Sequence, residues 1–344
     1  MTFEESRDRI EYLKAVQSHR ISKSLENGFT FISKSDIIKE WDEGAHPRDE
    51  KGRFTSGGGG GSSERDYGET NTKDALDEIN SGKTNSLAQY LDKDGKLTPE
   101  RDALHKQIID DLLKGKVPVK GQATMTMLGG GPASGKSSVM NPDTSGNVHA
   151  VTVDPDMIKG MLPGYNEMAK ETDKAAGYYH EESSALAKRF ASVAFKENYD
   201  VVYDGTGDGS ISSVEKKING ARENGYKVEA KYVTIDTDEA IRRNQARYDN
   251  AVAKGEVPRL PDPDMVRNCH AAVTDISVAC ADKFDRIEVW DNNGAKGSQH
   301  IIASGGNGQG LKAESGRENE FQAYLNKGDK GFMLDSNGNV KAKG

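Results

Sequence analysis

The stretch Met125 to Asn141, MTMLGGGPASGKSSVMN, decides how this chain is read. Gly130 to Ser137 fits the pattern G-x4-G-K-S/T without a mismatch, with an apolar run before it and a helical stretch after it. Glycines let main-chain N–H groups turn inward around a polyphosphate, and the start of a helix adds its positive end. The Lys136 ammonium then reaches toward β and γ oxygens, and Ser137 is placed to ligate Mg2+. Gly130, Gly131, Pro132, Ala133, Ser134, Gly135, Lys136, Ser137 and Ser138 are thus expected to hold ATP, with Mg2+ as its counterion. The competing reading, a Gly- and Ser-rich string arising by chance, has against it the flanking strand and the Lys-Ser pair.

Outward from this loop the chain alternates strand, loop and helix. The runs ATMTML (123–128), HAVTVD (149–154), YDVVYDGTG (199–207), KVEAKYVTID (227–236) and RIEVWD (286–291) read as buried parallel strands joined by crossover helices. The expected fold class is α/β: a P-loop NTPase, doubly wound and mainly parallel, flanked by helices and carrying a helical N-terminal extension. Functional residues should sit at the carboxyl ends of its strands. Residues 1–40 read as a helical segment, 41–70 as a glycine-rich disordered linker around five consecutive glycines, 71–302 as the P-loop domain and 303–344 as a polar flexible tail. Within that tail, LDSNGNVK suggests a small hairpin on its Asn-Gly turn. Thr98-Pro99-Glu100-Arg101 reads as a helix N-cap followed by proline in the first turn, and DKDG at Asp92 to Gly95 as a solvated turn rather than a calcium loop.

Carboxylates and arginines supply what a phosphate loop lacks. Asp154 and Asp156 follow the second strand; two apart in an extended segment, both would face the site, and Asp156 suits a base that takes a proton from an attacking hydroxyl. Either acid could instead cap the helix that follows. Asp204, at the tip of the third strand, could hold the Mg2+ water shell or a substrate hydroxyl, with Thr206 beside it, or the pair could be a plain Asp-Gly turn. Arg243 and Arg247 lie one helical turn apart and Arg259 follows in a proline-bounded loop, so these could neutralise a transferring phosphoryl group, whereas Arg242 reads as a solvated face.

Composition narrows the classes. A formal net charge of −8 argues against a nucleic-acid-binding surface. No apolar run approaches a membrane span, no signal peptide is visible, and the two cysteines, Cys269 and Cys280, imply neither disulfide framework nor zinc. A cytoplasmic protein, or one carried elsewhere by something such as a phage, is the expectation.

The ordered set GGGPASGKSS, VDPDMIKGMLPGY, YYHEESSALAKRF, VVYDGTG and VPRLP resembles the zeta toxin family of P-loop kinases over about residues 90 to 295. That resemblance implies ATP-dependent phosphorylation of the 3′-hydroxyl of UDP-N-acetylglucosamine and restraint by a small helical antitoxin. It implies Lys136 and Ser137 for ATP and Mg2+, Asp156 as base, and Glu181 or Glu182 as the sugar-binding acid, although an ungapped register places Lys188 there. Where the best-known members carry an arginine just after the GTG triplet, this chain has Asp208. The acceptor is therefore a small hydroxylated molecule, either that sugar nucleotide or a nucleoside or dinucleotide. A non-catalytic, ATP-binding, phage-associated protein is the reading from another class, and residues 1–89 are a candidate inhibitor acting in cis.

Overall fold

The computed structural model describes residues 65–139, 150–207, 209–255, 257–295 and 297–342. The expected helix over 1–40, most of the linker over 41–70, and Asp208 lie outside the described residues.

Among the described residues two α-helices precede the sheet, α1 (Lys73–Asn80) and α2 (Pro99–Leu113). Helix α2 starts as its sequence suggests: the Thr98 hydroxyl accepts from Arg101 N–H, and Pro99, which has no N–H to leave unsatisfied, takes the first position. Asp92 closes its turn by accepting from Asp94 and Lys96 N–H groups, so it is a turn-former.

The sheet then builds through β1 (Thr124–Gly129), the short helix α3 (Lys136–Val139) and β2 (Val151–Val153). Helices α4 (Pro155–Lys159), α5 (Tyr165–Glu171), α6 (Ala175–Tyr178) and α7 (His180–Lys196) lead to β3 (Val201–Asp204). Helix α8 (Ile211–Glu223), β4 (Lys227–Thr234), α9 (Thr237–Ala253), α10 (Pro263–Ala279) and β5 (Arg286–Asp291) complete the parallel part. Strands β6 (His300–Gly306) and β7 (Gln309–Ala313), helix α11 (Glu318–Leu325) and the hairpin β8 (Phe332–Leu334) with β9 (Val340–Ala342) follow.

Strand order is β2-β3-β1-β4-β5-β6-β7. All five expected strands are present and parallel, while β6 and β7 add antiparallel to one edge. β1 is the middle one of the five parallel strands, with Met125 opposite Val201 on one side and Val228 on the other, so the loop that follows it emerges inside the sheet and not at an edge. The core packs Met125 and Val228 from the sheet against Leu186 and Phe190 of α7 and Phe284 near the start of β5, all fully buried. Each such side chain is worth about 1.5–3 kcal/mol relative to exposure.

The expected flexible tail from residue 303 is instead folded. Asn307 and Gly308 both take positive φ, 55° and 78°, the pairing required by a two-residue hairpin turn, and join β6 to β7. Phe321 and Leu325 of α11 then bury completely in the common core. The suggested hairpin over LDSNGNVK is present as β8 and β9.

The N-terminal described segment is locked to α7 by a buried polar group. Glu182 is fully buried and accepts from Arg101 Nε at 2.6 Å, Arg101 Nη2 at 3.0 Å and the Ser86 hydroxyl at 2.7 Å, with His105 Nε2 at 3.0 Å. Burial alone would raise the Glu182 pKa; the bonds from His105 and Arg101 outweigh it and bring it from 4.5 to about 2. Burial pushes His105 below its ordinary 6.5 despite the neighbouring carboxylate. Both folded-state values lie below their unfolded ones, so both contributions are present at neutral pH and are lost on acidification. Urea unfolding should show stability falling as pH drops below 6.5 and further below 4.5. Glu182→Gln, which leaves Arg101 buried without its counter-charge, should cost about 3 kcal/mol at pH 7 and flatten that acid dependence.

Candidate functional site

The phosphate loop is shaped by what glycine permits. A Cβ on Gly129 would overlap the Tyr232 ring, and one on Gly130 would come 2.5 Å from the Ser134 hydroxyl and 2.8 Å from the Val233 carbonyl. The N–H of Gly130 donates to the Thr206 carbonyl at 2.8 Å, tying the loop to the segment after β3. Ala133 adopts φ 59°, a left-handed conformation uncommon outside glycine, and Gly135 adopts 84°. Lys136 Nζ donates to the Gly130 carbonyl at 3.0 Å, so the ammonium lies back across the loop. Ser138 donates to the Gly135 carbonyl at 2.6 Å and Ser137 is exposed. The Ser134 hydroxyl is buried and has no hydrogen-bond partner among the described residues.

After β2, the acids part company. Asp154 caps α4, accepting from Asp156 N–H at 2.8 Å and Met157 N–H at 3.2 Å. Because Pro155 starts the helix there, the expected extended pair is not formed: Asp154 turns to the backbone, and Asp156 stands 87% exposed. Its carboxylate accepts from Lys159 Nζ at 2.8 Å, an ammonium whose side chain is only 8% exposed. Asp204 ends β3 in register with Leu128, one residue before the loop, and Thr206 is brought to Gly130 through its carbonyl.

Other expected residues lie apart. Glu182 is engaged in its network with Arg101, His105 and Ser86, which occupies the carboxylate expected to face a substrate. Glu181 is mostly covered, 3.9 Å from His180, and Lys188 pairs with Asp74 at the surface. Arg242 pairs with Glu239 and is exposed, as expected. Arg243 shares Glu239 at 2.8 Å and donates to the Asn292 carbonyl at 3.4 Å, which brings it to the loop's flank. Arg247 and Arg259 are exposed and form no ion pair with another described residue. Cys269 and Cys280 are buried and form no disulfide, and no metal-binding cluster occurs among the described residues.

Sequence reasoning missed three side chains, two that bond to the loop and one that bonds to the end of β4. His270 of α10 donates through Nε2 to the Pro132 carbonyl at 3.1 Å, and Asn292, just past β5, donates to the Ser134 carbonyl at 2.8 Å. Lys327, after α11, donates to Thr234 Oγ1 at 2.7 Å and to the Ile235 carbonyl, and burial pushes its pKa down to about 8. Each reaches its partner across more than 90 positions, so no local signal announces it. Burial likewise holds His270 below its ordinary 6.5, favouring the neutral ring, whose Nε2–H tautomer the carbonyl selects.

A model of the zeta toxin family matches residues 109–298, more than half of the chain. The chain belongs to the zeta toxin family. That family is one of kinases, and its P-loop fold is the fold described above. Among solved structures the chain is similar to the PezAT chromosomal toxin-antitoxin system of Streptococcus pneumoniae, with 16% identity, 59% of this chain and 82% of that one covered, and a TM-score of 0.48. It is also similar to the AvrRxo1-ORF1:-ORF2 complex with ATP, with 20% identity, 68% and 74% coverage and a TM-score of 0.49. No curated protein matches the chain. Among the described residues no helix is long and apolar enough to cross a membrane.

In this zeta toxin family member the β1 terminus has no room for a side chain. Gly129→Ala should destabilise the fold by about 1–3 kcal/mol through overpacking on Tyr232, read from urea unfolding midpoints at constant slope.

Proposed function

We propose that this chain is an ATP-dependent kinase that transfers the γ-phosphate to a hydroxyl of a sugar nucleotide of the UDP-N-acetylglucosamine kind. The observation that carries this reading is a complete phosphate loop at the carboxyl end of the central strand, with the exposed Asp156 after the strand on the same sheet's β2 edge, in a member of a kinase family. The donor set fits a triphosphate: loop main-chain amides other than those of Gly130, Ser134 and Ser138, which donate to carbonyls, with the Lys136 ammonium and a buried Ser134 hydroxyl that has no partner among the described residues. Ser137 and Asp204 would hold Mg2+, which when bound neutralises phosphate oxygens.

Lys136 leaves the Gly130 carbonyl to bind phosphate oxygens, and the loop amides orient them. Asp156 accepts the proton of the acceptor hydroxyl as its oxygen bonds to the γ-phosphorus and the bond to the β–γ bridging oxygen breaks, releasing ADP. Arg243, Arg247 and Arg259 supply positive charge for the equatorial oxygens. Glu181, Asp204 and Thr206 contact the acceptor, while Glu182 acts by fixing the start of α7. The engagement of Glu182 by Arg101 favours a second reading, in which the same machinery phosphorylates a nucleoside or dinucleotide.

A product-resolved assay on metabolite extract and on UDP-N-acetylglucosamine tests both. Asp156→Asn should lower turnover by about 10²–10⁴-fold with ATP affinity unchanged, and Lys136→Ala should lose both. Turnover of Asp156→Asn equal to wild type removes Asp156 as the base; the absence of any phosphorylated product despite tight ATP binding removes the kinase reading.

A further inference from the structure

Two carbonyls of the phosphate loop, those of Pro132 and Ser134, are each gripped from outside by a buried side chain belonging to a different element. His270 comes from α10 and is 3% exposed; Asn292 follows β5 and is 6% exposed. Each also fills the space beside a loop glycine. A Cβ on Gly131 would collide with the His270 ring, and one on Gly135 with the Asn292 amide. Two of the loop's glycines thus owe their place to these neighbours as well as to a ligand.

A loop can offer its N–H groups to an anion only when the carbonyls between them face away, and an unheld carbonyl is as free to turn inward, where it would repel phosphate. Ala133, between the two gripped carbonyls, is held at φ 59°, a conformation that persists only where its surroundings over-determine it. We propose that His270 and Asn292 are positioning residues that hold the Pro132 and Ser134 carbonyls outward and so preset the loop for nucleotide phosphates. This rests on the reading that the loop binds ATP. The bracket extends further: α10 is fastened to the C-terminal unit where Asp275 accepts from the N–H groups of Asp329 and Lys330 and where Ser277 bonds Tyr324 at 2.6 Å.

The test uses the full chain with His270→Phe, which keeps a ring but no donor, His270→Gln, which restores one, and Asn292→Ala. ATP affinity is measured by titration, thermal midpoint without nucleotide, and loop amide exchange. His270→Phe and Asn292→Ala should each weaken ATP about tenfold and speed exchange across residues 130–135, with His270→Gln recovering most of the loss. Gly131→Ala should weaken ATP in the wild-type background and less so with His270→Ala, the non-additivity expected of residues in contact. Midpoints that fall while affinity stays within twofold would make both residues merely structural and overturn the proposal. If the wild type itself binds no ATP, the functional reading fails separately, and unchanged loop exchange in His270→Phe then overturns this inference on its own.

Discussion

Close approach of backbone to side chain at the end of the central strand is the constraint on which this site depends. Gly129, Gly130, Gly131 and Gly135 each leave a gap that neighbours fill: the Tyr232 ring, the Val233 carbonyl together with the loop's own Ser134 hydroxyl, the His270 ring and the Asn292 amide respectively. The neighbours outside the loop come from β4, α10 and the end of β5, so the loop is wedged among three elements that the sheet itself fixes. Interior packing near organic-crystal density makes such wedging unforgiving, because one added methyl has nowhere to go. Two buried polar atoms without partners, the Ser134 and Tyr232 hydroxyls, lie in or beside this wedge. Unsatisfied groups of that kind are rare in folded proteins and concentrate where function sets the geometry.

A second constraint operates at the start of α7. Bringing Glu182, Arg101 and His105 out of water is costly, and attraction between charges offsets that cost only when every lone pair is met. Here the Glu182 carboxylate has four hydrogen-bond contacts, and the Tyr90 ring lies 3.9 Å from the Arg101 guanidinium. An apolar contact would stabilise as well but could slide along a helix; a fully paired carboxylate fixes one register of α2 against α7. The short helices between β2 and α7, including the turn that presents Asp156, are thereby held at both ends: by β2 in the sheet and by this network.

What could be read in the sequence was what local chemistry determines. The loop, the five parallel strands and the Thr98 cap each announce themselves within a few residues, by glycine spacing, apolar runs or a Thr-Pro pair. Asp154 and Asp156 were half legible: their position after β2 was plain, but Pro155 at the first helical position ends the extended geometry that would have aimed both at one face. His270 and Asn292 were illegible, since their partners are 138 and 158 residues away and neither sits in a motif. The C-terminal strands were legible in principle. The stretch SGGNGQG (304–310) falls within the expected polar flexible tail, although Asn307-Gly308 is a two-residue hairpin signal; Ile302 and Leu311, buried on either side of it, mark the strands. Buried Arg101 and His105 were missed because a charged residue on a helix is ordinarily a solvated one, and only the partner, Glu182, reverses that expectation.

Strand order turns these local facts into an arrangement with sides. The loop leaves β1 in the middle; Asp156 follows β2, two strands to one side, while Arg243 and Asn292 follow β4 and β5 on the other. Asp156 and Arg243 therefore follow strands on opposite sides of β1. Asp156 is paired with Lys159 on its own helix, and Arg243 with Glu239 on its own, so each flank is internally balanced before any ligand arrives. On each flank the charge is oriented by a neighbour three or four residues along the same helix. On the function proposed above, the loop fixes where phosphate sits, and the flanks, which the chain builds from distant segments, determine what is placed on either side of it.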